Sequence, residues 1–146
     1  MSIIVPDIVA LQTYANLSSE ATALAHKHLP GALTLVLPAK TPIPASLTLH
    51  GTIGVRIPND AFALALAQVF GGPYTATSAN RAGHTTESTP MEIISHFGHA
   101  SHGIDLVIDD GPRAAGVPST VVRCTDNTPV ILREGALSRE ELGLGA

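Results

Sequence analysis

A chain of 146 residues is most simply one domain, and it is read here as a single domain over residues 1–146. Hydrophobic residues make up 45% and aromatics only 3%, with no Trp, so the core has to be built from Ala, Val, Ile and Leu. Twelve acidic residues against eight basic ones give a charge of −4, which argues against direct nucleic-acid binding. Cys124 stands alone, so no intrachain disulfide can form, and a reducing compartment fits. No apolar run approaches the ~18 residues of a membrane span, and Met1–Pro6 lacks the basic start of a signal peptide. A soluble cytoplasmic protein without membrane contacts is expected.

Ser2 to Val5 reads as a short buried strand. Asp7 suits the N-cap of a helix running to Ala15, and Ser18 or Ser19 that of a second helix running to Leu29. Pro30-Gly31 ends this helix and Ala32 to Leu37 forms an apolar strand. Thr41 to Leu49, with Pro42 and Pro44, reads as a surface loop. Thr52 to Ile57 is the next strand, closed by Pro58. Ala61 to Phe70 is so rich in Ala and Leu that a buried helix is expected, ended by Gly71-Gly72.

Pro73 to Thr77 is predicted as a strand and Ser78 to Ser88 as a polar loop. Thr89-Pro90-Met91-Glu92 has the spacing of a capping box, with proline in the first helical position, and starts a helix that ends by Gly98. Ile104 to Ile108 is read as a strand, Asp109 to Gly116 as a loop, and Val117 to Cys124 and Pro129 to Arg133 as strands. Ser138 to Glu141 repeats the capping-box spacing and opens a short terminal helix. Strands alternate with helices early and cluster late, the pattern of an α/β fold with an open, twisted mixed sheet.

Three of these strand ends carry groups suited to an anionic small molecule. They are Thr75 to Asn80, Val117 to Val122 and Ile131 to Ala136, offering Ser, Thr, Asn and Arg. Hydroxyls and amides bond phosphate or carboxylate oxygens, and a guanidinium grips them bidentately. Arg56, inside the apolar run Ile53 to Pro58, either holds such a ligand or pairs with an Asp at a strand edge, because an unpaired buried charge is very costly. Arg133 poses the same question beside Glu134. Ser78 and Asn80 follow a strand end, where α/β proteins place ligands, although an ordinary turn reads the same way. Ser119-Thr120 could equally be strand-edge hydroxyls.

Other patterns carry less. Gly111 to Gly116 mimics the start of a phosphate-binding loop, but Val117 stands where lysine is needed. Asp109-Asp110 could face a divalent cation or a solvated turn. His96, His99 and His102 are interrupted by Gly98 and Gly103 and read as polar residues at a helix end, so no resident metal is assigned. Cys124 reads as a thiol buried in a strand.

At these segments the chain resembles the YrdC-type threonylcarbamoyl-AMP synthase family. The likeness runs through Pro30 to Leu37, Val55 to Pro58, Thr77 to Asn80 with Gly83, Ser119 to Val122 and Ile131 to Ala136, in the family's order and separation. It implies an open twisted α/β sheet with a concave electropositive face. It also implies an enzyme that joins L-threonine, bicarbonate and ATP into threonylcarbamoyl-adenylate, releasing pyrophosphate. That product feeds threonylcarbamoyladenosine modification of tRNA, alongside partner proteins of the same modification. Carried over by motif, Arg56, the backbone at Ala76 and Ser119 are threonine contacts. Thr52, Ser78, Asn80, Thr86 and Arg133 are ATP contacts. Mg²⁺ would arrive on the phosphates, and no bound prosthetic group is implied.

The family also has an upstream Pro-Thr-Asp-Thr-Val-Tyr-Gly-Leu-like strand and a Lys-x-Arg pair that have no counterpart here. Ala32, Pro112 and Arg123 stand where the family usually has Pro, Gly and Asp. Met1 is therefore expected to be an internal start, the strand at Ser2 to Val5 to lack the neighbour that the absent segment would supply, and the chain to be poorly stable or self-associating and to make no threonylcarbamoyl-adenylate. The competing reading is a non-catalytic module of the same fold that binds threonine, nucleotide or RNA. A carbamoyl-transfer domain of a hydrogenase-maturation protein ranks last, since zinc-finger cysteines and an acylphosphatase-like segment are missing.

Overall fold

The computed structural model describes residues 1–40, 43–80, 89–97, 104–111, 116–126 and 128–145. Two compact units emerge, one of residues 1–76 with 118–146 and one of residues 77–117. The first unit opens with β1 (Ser2–Ile4), α1 (Ile8–Tyr14), α2 (Ser19–His28), β2 (Leu33–Pro38) and β3 (Thr52–Arg56). It continues with α3 (Ala61–Phe70) and β4 (Tyr74–Ala76). The second unit holds α4 (Pro90–Phe97), and β5 (Thr120–Arg123) and β6 (Val130–Arg133) return to the first.

The helices start where side chains can cap them. Asp7 accepts from the Ala10 amide at 2.7 Å, Ser18 from Ala21 at 3.2 Å and Asp60 from Ala63 at 2.8 Å. The box at Thr89 forms as expected: its amide donates to Glu92 Oε2 at 3.0 Å, while Glu92's own amide donates to Thr89 Oγ1 at 3.2 Å. Gly71, in the left-handed region at φ 70°, ends α3.

The six strands form one mixed sheet in the order β4-β1-β3-β2-β5-β6. Parallel pairs join β1 to β3 and β2 to β5; the other three neighbouring pairs are antiparallel. One face of this sheet is the core. Ile3 and Val5, Leu33, Leu35 and Leu37, Ile53 and Val55, and Val122 alternate onto it at 0–1% exposure. Leu11 of α1, Ala15 at its C-cap, and Ala21, Leu24 and Ala25 of α2 pack against them. The core is aliphatic, as the composition requires.

Four expectations are corrected. The strand at Ser2 to Val5 does not lack a neighbour: β1 is paired on both sides, by β3 and β4. The helix at Ala61 to Phe70 forms with the expected bounds but is not buried. It meets the core through Leu64 and has only Ala67 fully buried, while Phe62, Leu66, Val69 and Phe70 face outward. An all-apolar composition carries no periodic stripe, so it could not say which face would pack. Ile104 to Ile108 is not a strand: the segment has no regular structure, and Leu106 and Ile108 are exposed. Strand propensity is realised only where a ladder accepts it, and the six paired strands all lie in the other unit.

The C-terminal helix is reduced to a turn. Ser138 and Glu141 do form the capping box, with the Ser138 amide donating to Glu141 Oε2 at 2.7 Å. Gly143, at φ 69°, ends it after one turn, and Leu142 anchors it in the core. The proposed loop at Thr41 to Leu49 contains a 3-10 turn, Ala45–Leu47, with residues 41–42 outside the described set.

Candidate functional site

Strand alternation sends the polar residues to the face opposite the core. In the ladders Arg56 stands opposite Ile4, and Ile4 opposite Tyr74. Thr34 stands opposite Val121, and Val121 opposite Arg133. The β2–β3 register, Leu35 opposite Val55, sets Thr34 against Arg56 one residue further on. A single row therefore crosses all six strands as Tyr74, Ile4, Arg56, Thr34, Val121 and Arg133. Ser119, two residues before Val121, lies on the same face. So does Thr52, two steps of alternation from Arg56. The fold gathers Arg56, Arg123 and Arg133 here although the basic residues look scattered along the chain.

Arg56 sits on β3, an interior strand, so it is not the strand-edge residue that one reading allowed. The side chain is half-buried, and its Nε is buried without a hydrogen-bond partner among the described residues. A buried, unbonded guanidinium nitrogen is costly and is best satisfied by an anion. Arg133 does not depend on Glu134 for a partner: its Nη2 donates to the Ser119 carbonyl at 2.7 Å. Ser119, 7% exposed, places its Oγ 2.8 Å from Thr34 Oγ1. Thr120 points to the core side, bonding the Leu137 carbonyl at 2.6 Å.

The remaining expected residues fall as follows. Thr52 donates its hydroxyl to the Leu49 carbonyl at 2.7 Å, a contact of the turn that precedes β3. Ala76 pairs with Ser2, whose hydroxyl donates to the Ala76 carbonyl at 3.3 Å. Ser78 and Asn80 belong to the second unit, where Ser78 is exposed and Asn80 half-buried. Thr86 lies outside the described residues, as do His99, His102 and residues 112–115 of the Gly-rich loop. The first unit thus brings Arg56, Thr52, Ser119 and Arg133 onto one face, with Ala76 on its edge strand. Thr34 was missed, although a lone hydroxyl within Leu33 to Leu37 was a signal.

No group of three or more metal-ligating side chains occurs among the described residues. Asp109 accepts from the Gly111 amide at 2.9 Å, the geometry of a turn. Burial pushes the Cys124 thiol up to about 11, with the charge of Glu20 adding to it, so the thiol stays protonated and inert near neutrality. No helix among the described residues is long and apolar enough to cross a membrane.

An open mixed sheet with one largely aliphatic face and one arginine- and hydroxyl-bearing face defines the class, an α/β protein with a polar sheet face. A family model for Sua5, YciO and YrdC, described as "Telomere recombination", matches residues 1–135, and the chain belongs to that family. It is 36% identical over 142 residues to the threonylcarbamoyl-AMP synthase of Bacillus subtilis, covering 94% of this chain and 40% of that protein. A Pyrococcus abyssi Sua5 solved in complex with L-threonine superimposes with a TM-score of 0.85 at 35% identity, covering 96% of this chain and 41% of that one. Escherichia coli YciO superimposes at 0.86 with 32% identity, covering 97% and 68%. The chain thus spans well under half the length of the synthases named here.

Proposed function

We propose that this chain binds L-threonine on its polar sheet face and serves the synthesis of L-threonylcarbamoyladenylate from L-threonine, bicarbonate and ATP. The product would supply threonylcarbamoyladenosine modification of tRNA in the cytoplasm, with partner proteins of that modification. The observation that carries the reading is Arg56: a half-buried guanidinium on an interior strand, with a buried Nε that lacks a hydrogen-bond partner among the described residues. Two strand spacings, about 10 Å, separate its backbone from that of β5, room for an amino acid between Arg56 and Ser119. Arg56 would hold the carboxylate, while Ser119 and the Ala76 backbone would hold the ammonium or hydroxyl. The solved complex of the Pyrococcus abyssi relative with L-threonine supports the choice of ligand.

Thr52, Ser78, Asn80, Thr86 and Arg133 are assigned to ATP. That assignment follows the family likeness residue by residue, and the reading of residues 1–146 as one domain of the family is likewise part of the proposal. Charge that develops on the α-phosphoryl group would be met by arginine on this face. Mg²⁺ would enter on the phosphates as part of the substrate.

Calorimetric titration with L-threonine tests the reading. The wild-type chain should bind weakly, and Arg56→Ala should lose roughly 10- to 150-fold in affinity, the range of a charged hydrogen bond. Equal affinities in the two proteins would remove Arg56 from the site. A second reading, a module that binds threonine without forming the adenylate, is favoured by the Arg133 contact. Its Nη2 already donates to the Ser119 carbonyl, which leaves fewer of the guanidinium donors for phosphate. Pyrophosphate release in the presence of all three substrates separates the two readings.

A further inference from the structure

Thr34 is the buried hydroxyl of β2. It is 6% exposed, and its Oγ1 lies 2.8 Å from Ser119 Oγ, across 85 residues of sequence. The backbone of Ser119 is fixed from two other directions. Arg133 Nη2 donates to its carbonyl at 2.7 Å. Gly135 packs so closely on it that a Cβ there would collide with the Pro118 carbonyl oxygen and the Ser119 carbonyl carbon. The Ala136 amide also donates to Pro118 O at 2.9 Å, closing the loop around the residue. With its backbone held, Ser119 keeps one freedom, the rotation that selects among three staggered positions for its hydroxyl. The Thr34 hydroxyl, on a β-branched side chain that is itself stiff at χ1, removes that freedom.

We infer that Thr34 is a positioning residue for the ligand contact made by Ser119, an assignment that rests on the threonine-binding reading above. A hydroxyl has one donor and two acceptor sites. If Thr34 donates to Ser119, the Ser119 proton is free to meet a ligand oxygen. If Thr34 accepts from it, the Ser119 lone pairs are free to meet an ammonium. In both arrangements Ser119 retains a capacity aimed at the ligand, and Thr34 fixes its direction. The register places Thr34 between Arg56 and Val121, so the same residue also forms the floor between the two ends of the proposed site.

The test is a double-mutant cycle on L-threonine affinity in the full chain, using Thr34→Val, Ser119→Ala and the pair, with melting of each variant recorded in parallel. Thr34→Val keeps the shape and removes the hydroxyl. It should weaken binding roughly 3- to 10-fold, the range of one net hydrogen bond. In the Ser119→Ala background the same change should cost nothing further, because the group it orients is gone. Thr34→Ser should restore most of the affinity. A purely structural role would give affinity losses that track melting temperature from variant to variant, and that result would overturn the assignment. Wild-type binding with unchanged affinity in Thr34→Val would overturn it too, leaving the threonine site intact. No binding by the wild type would remove the threonine reading and this assignment together. Should Thr34→Val not fold, Thr34→Ala carries the same cycle.

Discussion

The two faces of the sheet are built from the same strands, yet they have opposite chemistry. Along the β5 segment Thr120, Val122 and Cys124 lie inward at 0–2% exposure, while Ser119, Val121 and Arg123 lie on the other side. On β3, Ile53 and Val55 go to the core and Thr52 and Arg56 to the polar face. The inward face is covered by α1 and α2 and is mostly aliphatic, its one hydroxyl on β5, Thr120, being bonded to the Leu137 carbonyl. The polar face can hold arginines because they are half-buried or exposed there. The difference teaches that one period-two alternation supplies both the stability and the candidate site. A substitution should therefore report which face it touches.

The largest effect is expected at the centre of the inward face. Leu35 is 0% exposed on a strand with neighbours on both sides. Leu35→Ala should cost about 2–5 kcal/mol in urea denaturation, a large share of the ~5–15 kcal/mol that holds a typical domain folded. A cost under ~1 kcal/mol would mean that this face is not the core.

Cys124 gives the inward face a pH signature. Its folded pKa, about 11, lies above the unfolded value of 9.0, so the folded state holds the thiol proton more tightly. The associated stability is fully present below about pH 9 and is lost as pH rises toward 11. Two pKa units correspond to about 2–3 kcal/mol at most. Urea midpoints at pH 8 and pH 10.5 should fall in the wild type by more than in Cys124→Ala. Identical slopes in the two proteins would place the thiol in contact with water.

Much of this division was readable in the sequence. Helix and strand starts followed capping residues and turn residues closely, because those signals are local: Asp7, Ser18 and the Thr89–Glu92 box all act within four residues. Arg56 announced itself as a charge within an apolar strand. Contacts between distant segments were not readable. Nothing near Thr34 in sequence points to Ser119, and nothing near Arg133 points to the Ser119 carbonyl, since each depends on which strands become neighbours. Ile104 to Ile108 failed for the same reason, as propensity without a pairing partner.

Gly135 tests the polar face without touching a charge. A Cβ at this position would collide with the Pro118 carbonyl and come within 2.7 Å of the Ser119 carbonyl oxygen. These are backbone atoms and cannot swing aside. Gly135→Ala should cost roughly 1–3 kcal/mol, as overpacking does, and should also displace Ser119. Combined thermal melts and L-threonine titration would show both losses. Unchanged stability would mean that the β6 end does not clamp this loop.

The smallest effect belongs to α3, where inward and outward sides can be compared within one helix. Ala67 is 1% exposed, while Val69, two residues on, is 87% exposed. Val69→Lys should alter stability by no more than ~0.5 kcal/mol, because an exposed site loses little packing and lysine is a better helix former than valine. Ala67→Lys would instead bury an unpaired charge and should fail to fold under the same conditions. Chemical denaturation of both variants measures the contrast. A cost above ~1 kcal/mol for Val69→Lys would show that the outward side of α3 is covered in solution, and the apolar row Phe62, Leu66, Val69 and Phe70 would then belong to an interior.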